Sequence, residues 1–200
     1  MRYGSLSSEV PLALQSESSQ AWLDAVLEDF DAFLLDHAAN EKKAAGVALN
    51  LAAHYPDKPD LVAAMIDLAI EELSHYRDVF KQIRQRTLTL PPDQKDAYVN
   101  QLRATIRKGS DLYFLDRLLV AAVIEARGLE RFTKIAAALP PGPLKGFYQA
   151  IAQSEARHSD LFLCLAHRHC AVDDIGPHLE RLLHQEAHIL ATLPVRATLH

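Results

Sequence analysis

The sequence contains little cysteine, and it has no long apolar run. Its two cysteines, Cys164 and Cys170, are too few for a disulfide framework, so we expect both to be thiols in a reducing compartment. No segment approaches the roughly 18 consecutive apolar residues of a membrane span, and the N-terminus lacks a basic-then-apolar signal pattern. These absences exclude a disulfide-stapled protein and a membrane protein. They predict a cytoplasmic location with no membrane partner.

The composition is that of an ordinary globular protein. Hydrophobic residues make up 49% and charged residues 24% of the 200 residues. One large domain with a core of useful size fits this length. We therefore predict a single domain over residues 1–200. Its core bundle should span about 30–170, with a C-terminal helix and tail at about 171–200.

The chain is predicted to be mainly helical, because glycine is scarce and most prolines fall between periodic segments. Four of these segments are long, at roughly 25 residues or about 37 Å each. The connection between the second and the third contains its own short helix, which is typical of a ferritin-like bundle. The predicted fold class is all-α, a ferritin-like four-helix bundle with a long crossover and additional short helices. The long helices are predicted at residues 31–55, 59–87, 111–139 and 144–170, and the short ones at about 18–29, 93–108 and 173–191.

Each long helix carries one glutamate within its apolar stripe. Two of these glutamates have a histidine three positions later, in "EELSH" (71–75) and "SEARH" (154–158). Buried carboxylates are costly unless they are protonated, paired with basic groups or bound to metal ions. The stripes offer two histidines and no clearly inward lysine or arginine. The side chains concerned are Glu41, Glu72, His75, Glu125, Glu155 and His158.

Two metal ions would satisfy all four carboxylates. One Glu from each of two helices, with a Glu-x-x-His pair from each of the other two, is the ligand set of carboxylate-bridged di-iron bundles. A lone Glu-x-x-His pair is most often a solvated surface pair, so the prediction depends on the two copies and on the accompanying glutamates. Oxygen and nitrogen donors without thiolate favour iron over zinc, and manganese stays open as an alternative.

Two further groups of polar residues lie near these motifs. His37 is four residues before Glu41 and could reach the site, although a structural or supporting role is favoured. The segment "CLAHRHC" (164–170) mixes cysteine and histidine without a familiar zinc spacing. An ordinary helix end is the favoured interpretation of that segment.

Glu130 is predicted to pair with Arg127 or Lys134, because it lies about 140° around the helix from Glu125. Arg127 and Arg157 each follow a predicted ligand by two positions. Bonding to neighbouring carboxylates and ordinary surface pairing both remain open for these two arginines.

The segments around the predicted ligands form a specific combination. They are "LLDHAANEKKAAGVALNLAAHYP", "AIEELSHYRDVF", "DRLLVAAVIEARGLERF" and "SEARHSDLF". Together they resemble the tRNA 2-methylthio-isopentenyladenosine hydroxylases, the MiaE-type family, over about residues 20–170. The resemblance implies a non-haem di-iron centre that activates dioxygen and hydroxylates the isopentenyl chain of a hypermodified adenosine beside the anticodon. The implied ligands are the same six side chains, with Glu72 and Glu155 bridging and no catalytic residue beyond the ligands.

The resemblance also implies cofactors and partners. These are two iron ions, dioxygen as co-substrate, tRNA, and an external electron donor such as a reductase or ferredoxin, since no flavin or nicotinamide fingerprint is present. The chain departs from the family pattern at Asn40, where a Cys is more common, and at "GLERF" (128–132), where "SCERF" is usual. Neither departure removes a ligand, but both bear on the lining of the substrate pocket.

The distribution of charge supports an RNA partner, although the net charge of −5 does not. Residues 77–108 contain eight basic and three acidic side chains, whereas the rest of the chain has 13 basic and 23 acidic ones. Solvated helix faces would explain this segment on charge alone, and the family resemblance favours phosphate contact. The predicted RNA-binding residues are Lys81, Arg84, Arg86, Arg103, Arg107 and Lys108.

Two other functions remain open. The same metal ligands could serve a ferritin- or rubrerythrin-like iron-binding oxidase or peroxidase, although the chain lacks the paired CxxC motifs of a rubredoxin domain. A metal-free helical interaction protein, with its glutamates paired or protonated, is the third hypothesis. Iron analysis of the purified protein discriminates the third from the other two.

Overall fold

The computed structural model describes residues 12–200, and all the regular secondary structure within that range is helical. The helices lie where the sequence predicts them, which confirms the all-α fold class. The main difference is the short crossover helix, predicted at about 93–108 and observed at Ala97–Ala104. The helices are α1 (Gln20–Glu28), α2 (Phe30–His54), α3 (Pro59–Gln85), α4 (Ala97–Ala104), α5 (Ser110–Ala138), α6 (Pro143–His169) and α7 (Val172–Thr192).

Local signals fix where the helices begin. The carboxylate of Asp29 accepts a hydrogen bond from the amide of Ala32 (3.0 Å) and caps α2. Pro59 occupies the first turn of α3, where its missing amide hydrogen costs no helical bond. Asp96 caps α4 by accepting from the amide of Val99 (2.9 Å). Because this cap sets the start of α4, the residues before Asp96 stay outside the helix.

The chain divides into two compact units. The α2–α3 unit comprises Ala21–Gln94 and Val195–Leu199. In it, α2 and α3 pack against each other as a hairpin joined by a short turn. Many α2 side chains in the interface are alanines, which allow a close approach of the two helices. The buried apolar residues of the α2–α3 unit include Leu34, Ala38, Ala45, Ala48, Leu51, Leu61, Met65, Leu68 and Val79.

The α5–α6 unit comprises Lys95–Pro194 and His200, with the described part of the N-terminal segment up to Gln20. Here α5 and α6 form the second long hairpin, and α4 and α7 pack onto it. The rings of Phe132 and Tyr148 stack between the two long helices with centroids 5.8 Å apart. The single domain over residues 1–200 stays a prediction.

The C-terminal residues after α7 form no helix, but contacts with other parts of the chain hold them in place. The indole of Trp22 donates to the carbonyl of Thr198 (2.9 Å). The ring of His200 stacks on that of Tyr98, with centroids 5.1 Å apart. Neither Cys164 nor Cys170, both of which the structure describes, forms a disulfide, and both are half-buried. Within residues 12–200, none of the helices combines the length and the apolar character needed to cross a membrane.

Candidate metal centre

The α2–α3 unit brings two buried carboxylates and a half-buried imidazole together. Glu41 comes from α2, and Glu72 and His75 come from one turn of α3. The Nδ1 atom of His75 lies 3.4 Å from Oε2 of Glu41 and 3.6 Å from Oε2 of Glu72. Both glutamates are buried, at 3% and 1% exposure. We call these three residues the first triad.

The α5–α6 unit repeats this arrangement. Glu125 comes from α5, and Glu155 and His158 come from one turn of α6. The Nδ1 atom of His158 lies 3.9 Å from Oε2 of Glu125 and 3.7 Å from Oε2 of Glu155. We call these residues the second triad. The structure therefore brings the six predicted ligands together as two sets of three, one in each unit.

The geometry of each triad suits a shared metal ion. The nitrogen–oxygen distances of 3.4–3.9 Å exceed those of ordinary hydrogen bonds. Ligand atoms at about 2.0–2.2 Å from one first-row metal ion lie roughly 3–3.5 Å from each other. Within each triad, the candidate ligand atoms lie within 4.8 Å of one another. Imidazole with carboxylates and no thiolate is a donor set that suits iron or manganese.

The pKa values of Glu41 and His75 in the first triad are shifted from their usual values. Burial raises the pKa of Glu41, but the hydrogen bond with His37 and the nearby His75 imidazole outweigh it, so the pKa lies well below its usual range. Burial lowers the pKa of His75, but the neighbouring carboxylates of Glu41 and Glu72 outweigh it and raise the pKa to about 9. Glu41 is therefore ionised at neutral pH. A metal ion that binds Nδ1 of His75 must displace a proton from it.

His37 contacts Glu41, one of the three residues of the first triad. Its Nε2 atom lies 2.6 Å from Oε1 of Glu41, and both side chains are buried. This contact leaves Oε2 of Glu41 on the side of His75. The predicted supporting role of His37 is consistent with this position, because residues that hold a ligand in place orient it toward the metal.

We expect His37→Ala to lower iron affinity about 10–100-fold, since the carboxylate of Glu41 would lose its orienting partner. Chelator competition measures the affinity, and circular dichroism checks the fold. His54→Ala is the matched control, because His54 lies on the same helix and is exposed. Equal iron affinity in His37→Ala and the wild type would contradict the supporting role.

Two neighbours of the second triad were not singled out from the sequence. Ser154 is buried one turn before His158, with its Oγ 3.4 Å from Nε2 of that residue and 3.0 Å from Nη2 of Arg157. A Cβ atom at Gly128 would lie 3.6 Å from Oε2 of Glu155, so α5 passes close to this carboxylate. Ser154 could have been identified from the sequence, because it is four residues before His158 and therefore lies on the same face of α6.

Arg127 corrects the expectation that no arginine points inward. It is fully buried, and its Nε donates to Oε1 of Glu186 on α7 (2.9 Å). Its Nη2 donates to the carbonyl of Ser16 (2.9 Å), and Tyr98 also donates to Glu186 (2.9 Å). The sequence left open whether Arg127 bonds a neighbouring carboxylate or forms an ordinary surface pair. In the structure it bonds carboxylates, but these belong to Glu186 and Glu130 and not to a predicted metal ligand.

The pairing predicted for Glu130 is confirmed with both candidates. Its Oε2 accepts from Nη1 of Arg127 (3.0 Å), and its Oε1 lies 3.6 Å from Nζ of Lys134. Arg157, by contrast, is exposed and donates to the carbonyl of Gln153 (3.0 Å). The cysteine- and histidine-containing segment 164–170 lies at the end of α6, as predicted.

Three of the predicted RNA-binding residues belong to the α2–α3 unit. Lys81 and Arg84 are exposed on α3, and Arg86 follows this helix. The Nζ atom of Lys81 lies 2.7 Å from Asp78, and Nη1 of Arg86 lies 2.7 Å from Asp31. Ion pairs as exposed as these contribute little to stability. Lys81 and Arg86 can therefore exchange these partners for others.

The other three lie in the α5–α6 unit. Arg103 and Lys108 are exposed. Arg107 is held by the protein itself, since its Nε donates to Oδ2 of Asp116 (2.8 Å) and its Nη1 contacts Nε2 of His178 (2.6 Å). RNA contact by the six residues stays a prediction, and the guanidinium of Arg107 already has partners.

The ion pair of Arg107 with Asp116 should make stability depend on acid pH. Burial raises the pKa of Asp116, but the bonds from Arg107 outweigh it and hold the pKa below its usual value of 3.8. The unfolded chain binds this proton first, so the stabilisation is present above about pH 4 and is lost as the pH falls through the native pKa.

We expect Asp116→Asn to lower the free energy of unfolding by about 1–3 kcal/mol at pH 7. The difference from the wild type should shrink as the pH falls below about 4. Urea unfolding between pH 3 and 7 measures it, with exposed Glu180→Gln on α7 as the control. A deficit of constant size across this pH range would contradict the assigned ion pair.

Comparisons with known proteins agree with the resemblance in the sequence. The model of the family described as tRNA-(MS[2]IO[6]A)-hydroxylase (MiaE) matches residues 6–200. Two relatives, from Pseudomonas putida and Salmonella typhimurium, are described as tRNA 2-(methylsulfanyl)-N(6)-isopentenyladenosine(37) hydroxylases. The chain is 37% identical to the first over 172 residues, which are 86% of this chain and 83% of the relative. It is 33% identical to the second over 113 residues, which are 56% of this chain and 42% of the relative.

A solved structure supports the same conclusion. The chain resembles a protein with aldehyde deformylating oxygenase activity from Synechococcus, with a TM-score of 0.88 and 34% identity over 94% of both chains. This likeness confirms the predicted ferritin-like fold class. With the family model covering nearly the whole sequence, the chain belongs to the tRNA-(MS[2]IO[6]A)-hydroxylase (MiaE) family.

Proposed function

We propose that this protein is a dioxygen-dependent di-iron monooxygenase that hydroxylates the isopentenyl group of 2-methylthio-isopentenyladenosine in tRNA, next to the anticodon. The two triads together would hold two iron ions as one centre. Membership of the family and the hydroxylase names of the relatives support the proposal. The observation that carries it is the duplicated triad, because each of the two units places two glutamates, at least one of them buried, around one histidine Nδ1. The ligands would be Glu41, Glu72, His75, Glu125, Glu155 and His158.

The chain's own residues prepare the site for this chemistry. When bound, the iron pair would supply the activation of dioxygen that cleavage of an allylic carbon–hydrogen bond requires, which no acid or base side chain can perform. The glutamates provide negative charge that a cation neutralises. Next to the ligands, buried Leu68 on α3, Ala122 on α5 and Phe162 on α6 limit the access of water.

The reaction needs an external supply of electrons. One oxygen atom of dioxygen enters the substrate and the other leaves as water, so two electrons and two protons must come from a donor. The sequence has no flavin or nicotinamide fingerprint. We therefore propose a separate reductase or ferredoxin as the donor.

We propose that the basic side chains on residues 81–108 contact the tRNA backbone. Exposed Arg84, Arg103 and Lys108 are available for phosphates. Lys81 and Arg86 can exchange their weak surface partners for a phosphate. Arg107 would act mainly by ordering this segment through Asp116. The modified base must leave its stack to reach a buried centre.

Mass analysis of nucleosides tests the proposed reaction. Hypomodified tRNA carrying the isopentenyl nucleoside is incubated with the iron-loaded protein, a chemical reductant and dioxygen. We expect the nucleoside to gain one oxygen atom, and labelled dioxygen to supply it. No oxygen gain despite full iron occupancy would overturn the tRNA hydroxylase proposal and favour an iron-binding oxidase or peroxidase.

The likeness to a protein with aldehyde deformylating oxygenase activity supports a second candidate. An oxygenase that acts on a free apolar aldehyde would use the same kind of metal centre. Incubation with a long-chain aldehyde in place of tRNA discriminates the two. Turnover of the aldehyde with none of the tRNA nucleoside would favour the second candidate.

A further inference from the structure

The outer face of α3 carries an aligned row of exposed apolar side chains. Ile66, Ile70, Leu73 and Phe80 are 45%, 60%, 47% and 37% exposed. At 100° per residue these four lie within an arc of about 80°. The buried residues of α3, which include Leu68, Glu72 and Val79, lie on the opposite side. We call this row, with Arg77 and Arg84 on the same line, the α3 seam.

The spacing of the α3 seam is that of a coiled coil. Positions 66, 70, 73, 77, 80 and 84 alternate steps of four and three residues, which is the heptad pattern that brings one helix against another. Scattered apolar side chains on a surface need no explanation, but an aligned row marks an interaction site. A helix on the outside of a bundle usually presents polar residues to water. The seam therefore has the pattern of a helix that packs on both of its faces.

Charge along α3 is asymmetric, with acids in its first half and bases in its second. Asp60 and Asp67 precede the centre, whereas Arg77, Lys81 and Arg84 follow it. Asp78 is the exception, and it bonds Lys81 within the same helix. Asp67 and Lys81 lie on the same flank of the seam, since fourteen residues return the helix to within about 40°.

We propose that a second copy of this chain packs antiparallel on the α3 seam, about a two-fold axis at Leu73. Ile66 and Phe80 each lie seven residues from Leu73, so this symmetry places Ile66 of one copy against Phe80 of the other. Leu73 meets Leu73, and Ile70 packs along the apolar stem of Arg77. A parallel arrangement would instead set acids against acids and bases against bases.

The two-fold axis also pairs the charges. A flank of one helix meets the same flank of its symmetry mate, so Asp67 of each copy faces Lys81 of the other. The opposite flank, with Ala69 and Ile83, is buried within the α2–α3 unit. The seam leaves Glu72 and His75 on the other side of α3, so dimerisation does not require any metal ligand.

Sedimentation velocity over a concentration series tests the dimer. We expect the wild type to dimerise and Ile70→Glu to raise the dimer dissociation constant about 100-fold or more, because each dimer would bury two added charges. Val172→Glu on α7 is the matched control, since Val172 is 66% exposed and lies outside the seam. It should dimerise like the wild type. Circular dichroism establishes that each variant is folded.

Charge reversal tests the antiparallel register. Asp67→Lys and Lys81→Asp should each raise the dissociation constant at least about tenfold, because each places two like-charged pairs in the homodimer. An equimolar mixture of these two variants should dimerise again, since every pair in the mixed dimer is then of opposite sign. Mass labelling of one variant identifies the mixed species.

Three results would overturn the proposal. They are a wild type that stays monomeric at every concentration, an Ile70→Glu dimer as tight as that of the wild type, and variant mixtures that fail to form the mixed dimer. If Ile70→Glu weakens tRNA binding while self-association is unchanged, the seam contacts RNA and the proposal is also overturned. Self-association is measured without the metal and without tRNA. Because Lys81 is also a proposed tRNA contact, Lys81→Asp is scored by self-association alone.

Discussion

Glu72→Ala is expected to remove most of the bound iron and to lower tRNA hydroxylation more than about 100-fold. The loss of a supporting residue alone typically costs about 10–100-fold, and Glu72 is proposed to be a ligand. Its carboxylate is 1% exposed and lies 3.6 Å from Nδ1 of His75. Without it, the imidazole and Glu41 cannot complete the first triad. Iron content by atomic absorption and turnover by nucleoside mass analysis measure the effect.

Glu71→Ala is the control for this experiment. Glu71 is the preceding residue of α3 and is half-buried, but it is not among the proposed ligands. The control should keep its iron and its activity. Full iron occupancy in Glu72→Ala, or equal losses in the two variants, would argue against the assigned ligands.

Arg127→Ala is expected to destabilise the protein by about 3–5 kcal/mol, because it leaves the buried carboxylate of Glu186 without its cation. The melting temperature should fall by roughly 6–20 °C. Tyr98 also donates to Glu186, so α4 loses support as well. Differential scanning calorimetry measures the shift.

Two further variants sharpen this prediction. Arg157→Ala should shift stability by no more than about 0.5 kcal/mol, since Arg157 also follows a proposed ligand by two positions but is exposed. Adding Glu186→Gln to Arg127→Met should recover much of the loss, because no unpaired charge then stays buried. A small effect of Arg127→Ala would contradict the importance of the buried pair.

The helices and the two triads followed from local patterns in the sequence. Helical periodicity depends on neighbours three and four residues apart, so the long helices and the Glu-x-x-His pairs were both visible. The boundaries of the short crossover helix could not be predicted from its sequence pattern. The crossover helix is shorter than predicted because Asp96 caps it late and because its surroundings, rather than its own pattern, decide its length.

Contacts between distant residues could not be predicted in this way. Arg127 and Glu186 are 59 positions apart, and nothing in the neighbourhood of either one identifies the other. The stripe of α7 did contain a signal, since Ile175, Leu182, Glu186 and Ile189 are all buried along it. A buried glutamate on that helix predicts a cation, but its identity depends on tertiary packing.

The same limit applies to the basic segment. Counting charges on residues 77–108 treated all the cations alike. Folding separates them, because Arg107 is committed to Asp116 whereas Arg84 and Arg103 stay exposed. The heptad spacing of the α3 seam can be read from the sequence, but only the exposure of Ile66, Ile70 and Leu73 shows that none of residues 12–200 covers it.

Electron paramagnetic resonance of the oxidised, iron-loaded protein, with iron quantified in the same sample, tests most directly whether the two triads form one centre. We expect two iron ions per chain that are magnetically coupled, so that the signal of an isolated high-spin ferric ion is absent. Two uncoupled ferric signals, one from each triad, would contradict the account.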